Sequence, residues 1–327
     1  MRAILGLCLI VLSVSSSAGG ELQPFLTTDQ NPYIQIYSLP AAEGARLTAA
    51  GTWRYALQLD LTSNSIAENG TDESIVIDGE TYRTTLWIKY GLTERLEAGL
   101  VIPYVMQRRG VFDNFIEDWH DTFGLSNRKR TVFENRQLDY FYTGAEATQR
   151  LTEPTEGLGD VRLTLGYPVY GDEGAGRRIV LRGGLKLPSG DAARLTGSGS
   201  TDLALQLDAT DATSLAAWNT ALFWSAGMLH LGQGDVLGAI QRDYVALGSL
   251  ALARPLTERV SLKLQLDGHS SFYDSELAGL GASAVQLTVG GQIGLSRGSF
   301  LDLGLVENLF TDTTPDLVFH FAVRSVL

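Results

Sequence analysis

Residues 47–61 read LTAAGTWRYALQLDL, with Leu47, Ala49, Trp53, Tyr55, Leu57, Leu59 and Leu61 at odd positions. Thr48, Thr52, Arg54, Gln58 and Asp60 fall between them. Side chains of an extended chain point alternately to two sides, so the stretch predicts a strand with one apolar and one polar face. It is longer than the usual soluble strand of about five or six residues. The same pattern returns roughly a dozen times down the chain. Long, repeated, two-faced strands predict a barrel in lipid, apolar outside and polar inside.

The amino terminus fits that address. Arg2, the apolar run Ala3 to Val14 and the small residues Ser15 to Gly20 read as a secretory signal over residues 1–18. That run is too short for a comfortable helical span, and no later segment reaches the ~18 apolar residues that one needs. Membrane insertion must then use strands. The only cysteine, Cys8, lies inside the signal, which leaves no disulfide and no cysteine nucleophile or metal ligand in the processed chain. The apolar fraction of 44% is ordinary, as expected where an apolar exterior and a polar interior cancel. A net charge of -12 argues against nucleic acid, which needs a basic footprint.

After the signal, residues 19–43 carry Pro24, Pro32 and Pro40, which disfavour a central strand. Two readings stay open for them, a plug folded into the lumen and a periplasmic tail. The barrel is expected over 44–327. Its first strand should run near 44–63 and its second near 73–90, with Asp78-Gly79 as a tight turn within the second. Strand three starts near Leu96. Later strands are expected near 157–170, 178–188, 201–211, 216–230, 243–254, 258–273, 283–296, 299–309 and 316–327, which makes twelve. The tetrapeptide Leu-Thr-Glu-Arg occurs at 92–95 and again at 256–259, predicting two equivalent short turns on the periplasmic side. The even count returns both ends to that side. Residues 107–156 form the longest connection. There Phe112, Phe115, Ile116, Trp119 and Phe123 fall at helical spacing beside His120, with Arg128, Lys129 and Arg130 following. An extracellular loop carrying a short helix over the barrel mouth is expected, with Phe115, Trp119, His120 and the basic trio as its gate residues.

Four separated stretches carry a resemblance: GVFDNFIEDWHDTFG at 110–124, KLPSGD at 186–191 with GSGSTD at 197–202, DGHSSFYDS at 267–275, and PDLVFH at 315–320. The chain resembles the bacterial family known as domain of unknown function 3187 over nearly its whole processed length. The resemblance implies an envelope protein and transfers no activity. The KLPSGD stretch is also similar to one in channels for aromatic-compound uptake.

The fold class expected is therefore all-β: a transmembrane, antiparallel, up-and-down barrel of about twelve strands in the cell outer membrane. Its partners would be the lipid bilayer, the barrel assembly machinery during insertion, and a small solute. The wet face collects Arg46, Arg54, Asp60, Arg83, Lys89, Glu97, Arg162, Arg182, Lys186, Asp202, Asp208, Lys263, Asp267, His269, Asp302 and Arg324. These side chains either pair across strands or, through Arg162, Arg182 and Lys186, form a basic ladder that selects anions. Asp267, His269 and Ser271 alternate on one strand face and raise a hydrolase reading, but they point inward, away from lipid substrate, and lack a nucleophile elbow. The four histidines have no ligand spacing, so neither a metal nor another cofactor is expected. Gly197 to Ser200 reads as a flexible surface loop. A passive channel or substrate-specific uptake pore without covalent catalysis is the leading expectation. A non-conducting structural barrel, an outer-membrane lipid hydrolase and a soluble periplasmic sandwich are the rivals.

Overall fold

The computed structural model describes residues 22–110, 137–171, 176–296, 298–309 and 313–326. Among the described residues, fifteen strands form one antiparallel sheet. They are β1 (Trp53–Asn69), β2 (Ser74–Thr93), β3 (Leu96–Arg108), β4 (Asp139–Thr143), β5 (Thr148–Leu151), β6 (Thr155–Leu158), β7 (Val161–Tyr170), β8 (Arg177–Leu187), β9 (Asp202–Asp211), β10 (Ala221–His230), β11 (Tyr244–Pro255), β12 (Val260–His269), β13 (Ala284–Ser296), β14 (Ser299–Asn308) and β15 (Leu317–Val326). β1 to β3 and β7 to β15 follow one another around the sheet, and β1 closes on β15 from Arg54↔Val326 to Ser63↔Leu317. The result is a closed twelve-stranded antiparallel barrel, with no unpaired edge in the hydrocarbon region. β4 and β5 extend the far end of β2, while β6 pairs with the far end of β3 ahead of β7.

The barrel is inside-out relative to a soluble protein. On β12, Gln265 is 0% exposed while its neighbour Leu264 is 43% exposed. Leu203, Leu205 and Leu207 are exposed on one face of β9, while Asp202, Gln206 and Asp208 on its other face are buried. So much contiguous exposed apolar surface is incompatible with water. Trp53 and Tyr90 meet at 4.5 Å between ring centroids at the end that carries the short turns, where Trp218 is also exposed. Aromatic residues of this kind suit the lipid–water boundary.

The two Leu-Thr-Glu-Arg turns are built alike. The backbone N–H of Arg95 donates to Thr93 Oγ1, and that of Arg259 to Thr257 Oγ1, each at 3.2 Å. This threonine turn holds the reversal without glycine.

Four boundary expectations are corrected. The first strand begins at Trp53, not near 44, because Gly51 at φ +74° turns the chain, and residues 44–50 leave the wall. Asp78-Gly79 is not a turn: β2 runs through it, paired Ser65↔Asp78 and Asn64↔Gly79, and the reversal lies at Gly70–Glu73. Gly79 suits the position because its backbone adopts φ +143°, which L side chains rarely take. Residues Ala216–Trp218 form a 3-10 turn, so that strand starts at Ala221. β12 ends at His269, which removes Ser271 from its face. The expected helix and gate residues Phe115, Trp119, His120, Arg128, Lys129 and Arg130 lie outside the described residues.

Candidate functional site

The bore is occupied by the chain's own residues 22–50. Pro24, Pro32 and Pro40 deprive this segment of ladder donors, and instead the wet faces of the strands bind its backbone. The ascending limb runs parallel to β12 with a constant offset of 240 residues: Phe25 meets Gln265, Thr27 meets Asp267, and Asp29 meets His269. At the long-loop end an Asn31-centred turn reverses it. Asp29 accepts from the Asn31 N–H at 2.8 Å, Asn31 accepts from the Tyr33 N–H at 2.9 Å, and the 3-10 turn Gln35–Tyr37 follows. The descending limb runs parallel to β9 with an offset of 165, pairing Ala41 with Gln206, Glu43 with Asp208 and Ala45 with Thr210. Thr48 then donates to Glu97 through both N–H and Oγ1 at 2.7 Å, and the chain enters β1.

One motif recurs in this grip. Gln-Leu-Asp stands at 58–60, 137–139, 206–208 and 265–267, and all but the copy at 137–139 lie within strands of the barrel wall. In each of these three wall copies the glutamine and aspartate face inward, whereas at 137–139 the glutamine is exposed and Leu138 is buried. The glutamine Nε2 donates to its own aspartate, at 2.6, 2.7 and 2.9 Å. The same Nε2 reaches a backbone carbonyl of the inner segment: Leu26 at 3.1 Å, Ala41 at 3.0 Å and Phe25 at 3.2 Å. The aspartate orients the amide, and the amide satisfies a buried carbonyl that would otherwise cost about 1–3 kcal/mol. This repeat was the available sequence signal for Gln58, Gln206 and Gln265, which the charge-based reading missed. Glu43 and Asp29 were also missed, because they lie off the strands.

The residues expected on the wet face are all inward or at the rim, and most contact the inner segment or each other. Arg83 donates to the Gln35 carbonyl at 2.9 Å, Arg162 to that of Ser38, and Arg182 to that of Gly44 at 3.0 Å. Lys89 pairs with Glu43 and with Glu97 at 3.1 Å. Arg182 also pairs with Asp208 at 2.7 Å. Asp60 pairs with His320 at 2.7 Å, and Asp302 joins Lys263 at 2.8 Å to Arg324 at 2.7 Å. Arg54 donates to the carbonyl of exposed Arg46 at 3.2 Å. Of the three residues behind the hydrolase reading, Asp267 accepts from Thr27 at 2.7 Å, His269 meets Asp29 at 2.9 Å, and Ser271 donates to the Tyr273 carbonyl. They form no relay with one another.

Above these polar layers, an apolar cluster fills the long-loop mouth. Tyr33, Ile34, Ile36, Tyr37 and Leu39 of the inner segment pack against Ile66, Ile75 and Ile77 of the β1–β2 tips and against Leu195, Leu237, Phe272 and Leu280. Tyr37 stacks on Phe272 at 5.2 Å. Burial pushes the Tyr33, Tyr37 and Tyr273 hydroxyls above the ordinary phenol range, so they stay neutral, and Tyr273 donates to the Tyr33 carbonyl at 2.8 Å.

The stretch expected as a flexible loop, 197–200, is buried instead. Lys186, 2% exposed, holds Asp160 at 2.9 Å, Asp202 at 2.6 Å and the Ser198 hydroxyl. Asp160 in turn accepts from the backbone of Gly190 at 2.8 Å and Ser198 at 3.0 Å. The KLPSGD and GSGSTD stretches are therefore two sides of one ionic lock that folds residues 188–201 over the mouth.

Comparison with known proteins agrees with this geometry. A family model described as "Protein of unknown function (DUF3187)" matches residues 1–325. No curated protein matches the sequence. Among solved structures, the COG4313 outer membrane channel from Pseudomonas putida F1 is similar at 12% identity and a TM-score of 0.57, covering 86% of this chain and 98% of that one. The NanC porin follows at 11% identity and a TM-score of 0.45, covering 83% and 97%. The P. putida toluene transporter TodX is similar at 11% identity and a TM-score of 0.39, covering 96% of each chain. At 12% identity the likeness to the COG4313 channel shows the outer-membrane barrel fold and nothing finer.

Proposed function

The chain belongs to the family of unknown function DUF3187, and from that premise we propose that it is a gated outer-membrane channel for small solutes, with residues 22–50 as its removable plug. The observation that carries the reading is the chemistry of the grip. Below the apolar cluster that anchors Tyr33 to Leu39 at the mouth, the wall holds the inner segment by hydrogen bonds to its backbone and by small ion pairs, through surfaces that water can re-solvate when the segment leaves. A purely structural barrel of this size would fill its bore more simply with side chains from the wall. The short-turn end faces the periplasm and the lock of Lys186, Asp160 and Asp202 faces outward, following the loop-length asymmetry of such barrels. The COG4313 protein that shares this barrel fold is an outer membrane channel, which supports transport over catalysis. Conductance in planar bilayers tests the reading. The full chain should show brief, rare openings, and a chain lacking residues 22–49 should conduct continuously. A barrel that folds without the segment, checked by heat-modifiable migration, and stays electrically silent would refute it.

A further inference from the structure

The three wall copies of Gln-Leu-Asp differ at one point. Asp60 pairs with His320 and Asp208 with Arg182, each at 2.7 Å. Asp267 accepts only from neutral donors, Thr27 Oγ1 at 2.7 Å and Gln265 Nε2 at 2.9 Å among them, and no basic side chain of the described residues pairs with it. What remains accessible of Asp267 faces a cavity of about 30 Å³ between the wall and the inner segment, where Thr27 and Thr28 line it from one limb and Pro40 and Ala42 from the other. One water needs about 10–15 Å³, so a small ion and a water fit there and nothing larger does. A carboxylate so placed needs a proton or a counter-ion.

The register supplies the remaining ligands. Ser249 on β11 and Gln286 on β13 lie directly opposite Asp267 on β12, and Thr314 lines the same cavity from the chain ahead of β15. Gln286 and Thr314 are each 2% exposed. Ser249 and Gln286 stand close to the carboxylate, yet neither Ser249 Oγ, nor Thr314 Oγ1, nor either amide atom of Gln286 is in hydrogen-bonding geometry with any described residue. Buried polar atoms are rarely left so, and here they gather around one cavity. The other carboxylate lining it is already balanced. His269 turns Nε2 to Asp29 and Nδ1 to the Ser270 carbonyl, each at 2.9 Å, so the His269–Asp29 pair holds two protons and is neutral. One negative charge is left over.

We propose that this cavity holds one monovalent cation of sodium's size, coordinated by the Asp267 carboxylate and by the side-chain oxygens of Ser249, Gln286 and Thr314. Hard cations take oxygen ligands of these kinds, and one unbalanced negative charge selects one positive one. Lying between the inner segment and the wall, the ion ties the two together and favours the seated state. As a brake on opening the site rests on the channel reading; as a binding site it does not. The test is thermal unfolding of the purified full chain in detergent at constant ionic strength, with sodium chloride replacing choline chloride, whose cation is too large to enter. Sodium should raise the midpoint saturably, by about 2–4 °C. Asp267→Asn should abolish the shift and Gln286→Leu should raise the half-saturating sodium about tenfold, while Asp274→Asn, at an exposed carboxylate outside the cavity, should change neither. Heat-modifiable migration confirms that each variant is folded, and Gln286→Leu decides if Asp267→Asn is not. A midpoint indifferent to sodium, as a protonated Asp267 or a water in the cavity would give, overturns the proposal. So does a larger shift with calcium chloride at the same ionic strength, or a sodium shift untouched by the cavity variants. A silent barrel that keeps the sodium shift defeats only the channel reading; a conducting one without it defeats only this proposal.

Discussion

Replacing Gln265 by leucine removes one of the three amide clamps while keeping side-chain volume. Gln265 accepts from the Phe25 N–H at 2.7 Å, donates to the Phe25 carbonyl at 3.2 Å and reaches Thr27 Oγ1 at 3.1 Å. In Gln265→Leu two backbone groups of the inner segment are left buried without partners, at about 1–3 kcal/mol each, so the seated state should lose roughly 2–6 kcal/mol. The unseated segment loses nothing, because water satisfies the same groups. Each ~1.4 kcal/mol shifts the equilibrium tenfold, so the open population should rise by a factor of about 30 or more. The assay is the rate at which a charged, membrane-impermeant thiol reagent modifies Thr288→Cys, a position fully buried in the bore 3.3 Å from Thr27 Oγ1. When reseating is faster than modification, that rate follows the open population. A change below about threefold would show that the clamps do not hold the segment, and would refute the reasoning.

Other consequences are independent of gating. Lys186→Met strands Asp160 and Asp202, both buried, and should cost about 3–5 kcal/mol in thermal or urea unfolding; Lys186→Met combined with Asp160→Asn and Asp202→Asn should recover much of the loss. Gly91→Ala places a Cβ against the Ala49 and Thr48 carbonyls where the inner segment turns into the wall, so it should destabilise by about 1–3 kcal/mol, read as a lower midpoint. A fluorophore on Leu264→Cys should be quenched by brominated lipid and one on Lys263→Cys should not; equal quenching would put the wrong face in the bilayer.

The wall of the barrel was legible because period-two alternation is a local property, and the even strand count and the twin Leu-Thr-Glu-Arg turns fixed closure and polarity. The path of residues 22–50 was not, since nothing in their own side-chain pattern encodes it. Their backbone is held by Gln58, Gln206, Gln265 and Arg83, which belong to other parts of the sequence. For the same reason the alternation at Leu47 and Ala49 was assigned to the wall, although Thr48 there bonds Glu97 inside it. The glycine- and serine-rich 197–200 stretch looked solvent-exposed by composition. Asp160 and Lys186 bury it from a distance that no local pattern reports.

The central claim is that the seated inner segment shuts the bore. Thr27 and Asp267 touch at 2.7 Å, and the chain's only cysteine, Cys8, falls in the segment expected to be removed, so a Thr27→Cys, Asp267→Cys pair gives a single reversible tether. Bilayer current through this variant should cease on oxidation and return on reduction in the same membrane. Current that continues unchanged after the tether has formed would contradict the account.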